Sequence, residues 1–171
     1  GTHEFIELCR RIGAAPYICQ NSLASIEEMA DWVSYCNDTT GEFADLRREN
    51  GHPEPFDVRL WSVGNEKVGK GYIDKVRDTA IAMKRVDPTS QVTCSGAHGP
   101  SAYIDPYLFE TAGTHLDLLS IHEYWIPNFQ VHQTPEYLAC MMLSEKPDAH
   151  LDAVVSSIEK AGLRGRIDVA F

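Results

Sequence analysis

Apolar positions along this chain alternate between a helical spacing and short continuous runs. Over residues 3–12, Phe5, Leu8, Cys9 and Ile12 share one helical face, with Glu4, Glu7, Arg10 and Arg11 elsewhere. Gly13 stands where a helix stop is expected. Pro16 to Asn21 reads as a short buried strand. Ser25 followed by Glu28 forms a capping box, and Ile26, Met29, Ala30, Val33 and Cys36 supply the stripe of the helix it opens. Residues 37–56 are polar and turn-rich, with Gly51, Pro53 and Pro55, and read as a long loop. A strand over 58–63 follows and stops abruptly at Gly64-Asn65-Glu66. Beyond Gly69 and Gly71, Ile73, Val76, Ala80 and Met83 mark a helix ending before Asp87-Pro88. Gln91 to Gly96 reads as a strand, 103–112 as a helix, and Asp117 to His122 as a strand running into Glu123-Tyr124-Trp125. A short helix is expected near 135–143, and Pro147 opens another with Leu151, Val154, Val155 and Ile158 on one side and Gly162 as its stop. Arg166 to Phe171 reads as a last strand.

Helices and strands therefore alternate throughout, which calls for an α/β fold of parallel strands with helical crossovers. The strands are short and nearly continuously apolar, as expected of strands buried on both faces. Two architectures fit: an open doubly wound sheet, or a segment of a (β/α)8 TIM barrel. A dinucleotide-binding sheet should carry a glycine-rich turn after its first strand, and Asn21-Ser22-Leu23 is not one. In a barrel, functional groups gather where strands end. Here the polar residues fall at such places: Asn21, Asn65-Glu66, His98, and His122 to Tyr124. The barrel is the better fit. Five strands cannot close an eight-stranded barrel, so the expectation is a partial barrel incomplete at both ends, with residues 1–171 a fragment of one catalytic domain.

Composition narrows the partners. The formal net charge of −10 argues against nucleic acid and anionic membrane surfaces. No apolar run approaches the roughly 20 residues of a membrane span. Five cysteines without CxxC spacing read as reduced, structural thiols, which favours a cytoplasmic protein while leaving a secreted parent open. The histidines show no metal-ligand spacing; His122-Glu123 lacks the second His of a zinc-protease helix. No metal and no cofactor is expected.

Glu66 is the principal candidate for chemistry. A carboxyl at the end of a buried strand can stay protonated near neutral pH and act as a general acid, one of the two carboxyls that glycoside hydrolysis requires. The same residue equally reads as the start of a solvated loop. Asn65 beside it could hydrogen-bond a sugar hydroxyl. His122 and Tyr124, two apart on a strand, point the same way and could orient a carboxylate. A satisfied core histidine with a packed tyrosine is the other reading. Trp125 could stack on a sugar, whereas Trp32 and Trp61 read as core.

Several segments together resemble the α-L-arabinofuranosidases of glycoside hydrolase family 51 along essentially the whole chain. They are Gly1-Thr2-His3-Glu4-Phe5, Ile12-Gly13-Ala14, Trp32-Val33-Ser34-Tyr35-Cys36-Asn37, Leu46-Arg47-Arg48 through Gly51-His52-Pro53-Glu54-Pro55, and Trp61-Ser62-Val63-Gly64-Asn65-Glu66. Met83-Lys84-Arg85-Val86-Asp87-Pro88, Ser120-Ile121-His122-Glu123-Tyr124 and Glu136-Tyr137-Leu138-Ala139 continue the match.

The resemblance implies a retaining barrel enzyme that releases terminal α-L-arabinofuranosyl residues from arabinan or arabinoxylan. In it Glu66 would be the acid/base, Asn65 its substrate-binding neighbour, and His122 and Tyr124 the pair near the nucleophile. The nucleophile itself is expected about two residues past Phe171, so the isolated piece is expected to be inactive. Asn21 matches a sugar-binding position, although Asn21-Ser22-Leu23-Ala24 departs from the family's Asn-x-Gly-Thr. The implied partner is an arabinose-containing oligosaccharide or polysaccharide, and the parent is expected to be a homo-oligomer. A related barrel glycosidase acting on xylosides or glucans, or a non-catalytic carbohydrate-binding remnant, remains the alternative.

Overall fold

In the computed structural model, which describes residues 1–95, 105–122 and 136–170, helix α1 (Thr2–Ile12) stops at Gly13. That glycine takes the left-handed conformation, with φ 71°, and its N–H and that of Ala14 close back on Arg10 O and Cys9 O. Strand β1 (Tyr17–Cys19) follows. The capping box then opens α2 (Ile26–Asn37): Glu28 N–H donates to Ser25 Oγ at 3.1 Å, and Ser25 N–H to Glu28 Oε2 at 2.7 Å. Strand β2 (Leu60–Ser62) leads to α4 (Lys70–Val86), and β3 (Gln91–Ser95) to α5 (Pro106–Ala112), whose first turn is capped by Asp105 and carries Pro at its start. Strand β4 (Leu118–Ser120), α6 (Glu136–Met142), α7 (Lys146–Lys160) and β5 (Asp168–Ala170) complete the order.

Two expectations are corrected. The stretch read as a long loop contains α3 (Glu42–Glu49), a short charged helix whose buried positions are Ala44 and Arg47. It has no apolar stripe to announce it. Arg47 is fully buried, and its guanidinium donates to Tyr35 O (2.8 Å), Asp38 O (2.7 Å) and His52 O (3.3 Å). A cation thereby caps the carbonyl end of α2, whose own last turn holds no basic residue. In α1 the buried positions are Ile6 and Cys9, while Phe5, Leu8 and Ile12 are 39%, 54% and 67% exposed. Phe5 lines an open cleft of about 400 Å³ along the outer edge of β1, with Tyr17, Ile18, Cys19 and Trp32.

All five strands are parallel and lie in chain order, β1-β2-β3-β4-β5. A doubly wound sheet reverses its strand order at a switch point. Sequential order with crossovers of one hand instead lays every helix on the same side, as in a barrel wall. Among the described residues the wall is open at β1 and β5.

Register separates the two faces of the sheet. Ile18, Trp61 and Val92 form one cross-strand row, and Cys94, Leu119 and Val169 another. They pack against Met29, Val33, Ile73, Val76, Leu108 and Val154 of the helices. Trp61 is fully buried, its indole N–H donating to Val58 O and its ring meeting the edge of Trp32 at 6.1 Å. The other face carries Cys19, Ser62, Thr93, Leu118 and Asp168 in one row, with Ser95, Ser120 and Ala170 in the next. The strands are thus apolar toward the helices and rich in hydroxyls on the inner side. Cys9, Cys36 and Cys94 are buried, Cys19 and Cys140 exposed, and all five are free thiols. No helix among the described residues is long and apolar enough to cross a membrane.

Candidate active site

The site lies where β2, β3 and β4 end, on the hydroxyl-bearing face. Past Ser62 the chain keeps one more ladder bond, Val63 N–H to Thr93 O at 2.9 Å, and then turns through Gly64 (φ 76°) and Glu66 (φ 51°). Three side chains hold that turn through four hydrogen bonds. The Tyr72 hydroxyl donates to Val63 O at 2.5 Å, and the Ser62 hydroxyl to Gly64 O at 2.9 Å. Ser95 Oγ lies 3.3 Å from Gly64 O, to which it donates, and accepts Glu66 N–H at 2.8 Å. Burial drives the Tyr72 phenol far above its ordinary ionisation range, so it remains a neutral donor. Burial likewise pushes the Cys94 thiol up to about 12, leaving it a packing residue with no nucleophilic thiolate.

Gly64 has a second constraint. A Cβ at this position would lie 2.6 Å from the Ser22 Cβ. The turn after β1 therefore packs directly on the turn that carries Glu66. That first turn is itself fixed: Leu23 N–H donates to Asn21 Oδ1 at 3.0 Å, Ala24 N–H donates to Asn21 O, and the Lys75 ammonium of α4 donates to Ser22 O at 2.7 Å and to Ala24 O.

Strand β4 supplies the partner. Ile121 N–H still pairs with Ala170 O, and His122 stands just beyond it. Its Nδ1 lies 3.0 Å from Glu66 Oε1, and its Nε2 lies 3.2 Å from Ser120 Oγ. The two side chains are 26% and 29% exposed, enough for a substrate to reach them and enclosed enough to strengthen their interaction. A half-enclosed carboxyl oriented by an imidazole on one oxygen is placed for proton transfer.

The structure therefore brings Glu66 and His122 together, which the sequence placed at two strand ends without linking them. Asn65 is exposed beside Glu66, and Asn21 is exposed after β1 with its side chain engaged in the turn. Tyr124, Trp125 and His98 lie outside the described residues. Trp32 and Trp61 pack in the core, as their surroundings in the sequence suggested. Among the described residues no group of three or more His, Cys, Asp or Glu could hold a metal ion. Sequence reasoning missed Ser62, Tyr72, Ser95 and Ser120. The signal available for the last two was their period-two placement, Thr93 with Ser95 and Ser120 with His122, on strands otherwise apolar.

Comparison with known proteins gives a consistent picture. Residues 1–140 match the family model described as alpha-L-arabinofuranosidase 1 domain. Alpha-L-arabinofuranosidase C of Emericella nidulans is 33% identical over 146 residues, covering 72% of this chain and 29% of that protein. The intracellular exo-alpha-(1->5)-L-arabinofuranosidase 1 of Bacillus subtilis is 29% identical over 157 residues, covering 83% of this chain and 31% of the relative. Among solved structures, the thermostable glycoside hydrolase family 51 α-L-arabinofuranosidase of Thermotoga petrophila superposes with a TM-score of 0.78 at 29% identity, over all of this chain and 36% of that one. The chain thus spans about a third of the length of the proteins it matches.

Proposed function

Because the chain belongs to the α-L-arabinofuranosidase 1 domain family, in glycoside hydrolase family 51, we propose that Glu66 is the acid/base of a retaining α-L-arabinofuranosidase in the protein that carries it. The observation that supports this is the Glu66–His122 pair, 3.0 Å apart at the strand ends, with the Glu66 backbone fixed by Ser95. In the first step Glu66 protonates the glycosidic oxygen while a second carboxylate attacks the sugar. In the second step the Glu66 carboxylate takes a proton from the water that releases arabinose. The substrate is a terminal arabinofuranosyl unit of arabinan or arabinoxylan. Asn65 is proposed to bond a sugar hydroxyl, with Asn21, Tyr124 and Trp125 as further sugar contacts. A cytoplasmic setting is supported by the free cysteines and by the name of the Bacillus relative. Assembly as a homo-oligomer rests on the family resemblance alone.

Glu66→Gln in the whole protein should lower kcat/KM by about 10²-fold or more on substrates with poor leaving groups. Activated aryl arabinofuranosides, which leave without protonation, should lose far less. Equal losses on both would count against the assignment. Residues 1–171 expressed alone are expected to give no turnover of an aryl arabinofuranoside, since the resemblance sets the second carboxylate after β5. Measurable hydrolysis by that piece would overturn this.

A further inference from the structure

Ser120 and His122 both belong to the inner face of the β4 line, two residues apart, and Ser120 Oγ reaches the imidazole on the side away from Glu66. We infer that Ser120 is a positioning residue that, by donating to Nε2, holds His122 in the tautomer the Glu66 carboxylate selects, and through it the orientation of the Glu66 carboxyl. This inference rests on the acid/base reading of Glu66.

The chemistry of the line runs in one direction. When Glu66 is ionised it can only accept, so Nδ1 at 3.0 Å from Oε1 carries the proton and donates. The neutral ring then presents a lone pair at Nε2, and the Ser120 hydroxyl at 3.2 Å donates to it. When Glu66 is protonated the same line persists if the proton sits on Oε2, with Oε1 still accepting from Nδ1–H. Oε1 then accepts from Nδ1–H in both states, and the transferable proton sits on Oε2. With the opposite tautomer, Nδ1 would accept, drawing the Glu66 proton onto Oε1 and away from the leaving group. Serine suits this position because a hydroxyl donor does not itself ionise. Among the described residues of the strands, the other titratable side chains on this face, Cys19 and Asp168, lie one cross-strand row further from the C-terminal edge. Tyr72 approaches the turn from α4 and stays neutral.

Ser120→Ala in the whole protein removes the donor to Nε2. The Nδ1–H bond favours the Glu66 carboxylate, so weakening it raises the pH at which Glu66 ionises. The alkaline limb of kcat/KM should therefore move up by about half to one pH unit, the size of one hydrogen bond. Turnover of an activated aryl arabinofuranoside, limited by the step that needs the carboxylate base, should fall several-fold. Ser120→Thr, which keeps the hydroxyl, should restore the wild-type limb. A limb that stays in place in Ser120→Ala, or that Thr fails to restore, overturns the inference. If Glu66→Gln shows the leaving-group pattern above while the limb is unmoved, Ser120 alone loses its role. If Glu66→Gln shows no such pattern, the acid/base reading falls first. A measurement needing no Ser120 variant is the 15N spectrum of histidine-labelled wild-type protein, with the His122 signals identified by their loss in His122→Asn. A protonated Nδ1 and an unprotonated Nε2 support the inference, and the reverse overturns it.

Discussion

Glu66 holds a left-handed backbone conformation that costs a non-glycine residue about 1–2 kcal/mol. Such a conformation persists only where its neighbours over-determine it, and it is found disproportionately at functional sites. Here Ser95 binds both the Glu66 N–H and the carbonyl of Gly64, Ser62 donates to that same carbonyl, and Tyr72 holds the carbonyl of Val63. Gly64 is the most exposed to test. Alanine there meets both an unfavourable φ and the Ser22 Cβ at 2.6 Å. Gly64→Ala should lose about 2–4 kcal/mol in urea unfolding, the backbone cost plus overpacking. Gly13→Ala is the control: its φ of 71° is also left-handed, but nothing lies within 4 Å of the added methyl. It should lose only about 1–2 kcal/mol. Equal losses at the two positions would mean that the contact with Ser22 contributes nothing.

Among the elements, α3 depends most on a single side chain. Its buried surface is small, and Arg47 links it to the end of α2 and to the turn at His52. Arg47→Ala leaves three carbonyls without their charged donor and should cost about 3–5 kcal/mol by thermal or chemical unfolding. Arg47→Lys should recover less than half of that, because one ammonium cannot reproduce the fork of a guanidinium. A loss below about 1 kcal/mol in Arg47→Ala would show that α2 and α3 are held otherwise. This helix also marks a boundary of what could be read in advance. The ends of α1, α2 and α7 were legible because Gly13, the Ser25–Glu28 box and Gly162 act on backbone groups only a few residues away. The existence of α3 was not, because its anchor is a cation reaching carbonyls outside the helix.

At the scale of the molecule, alternation of apolar runs sufficed for the parallel α/β architecture and for locating Glu66 and His122 at strand ends. It could not give the pairing between them, which depends on register. Cys94 opposite Leu119, and hence Ser95 opposite Ser120, is a fact of cross-strand alignment that no local pattern contains. The hydroxyl-lined inner face escaped notice for the same reason: alternate residues of β3 and β4 acquire meaning only when stacked in rows. The misassigned stripe of α1 has a related origin. A helical face of Phe5, Leu8 and Ile12 predicts burial, but which face meets the sheet is decided by how the next strand enters it.

The order of the strands carries one more consequence. Among the described strands, each of β2 to β5 hydrogen-bonds to the one made just before it, so none of these four must wait for a partner made later. During synthesis, β2 can dock on β1, and β3 on β2, while later residues are still being added. Each arrival also completes a feature of the candidate site. The turn of Glu66 gains its Ser95 clamp with the third strand and its imidazole with the fourth. The proposed acid/base is thus assembled progressively from the ribosome outward, and a pause between β3 and β4 would leave Glu66 shaped but not yet tuned.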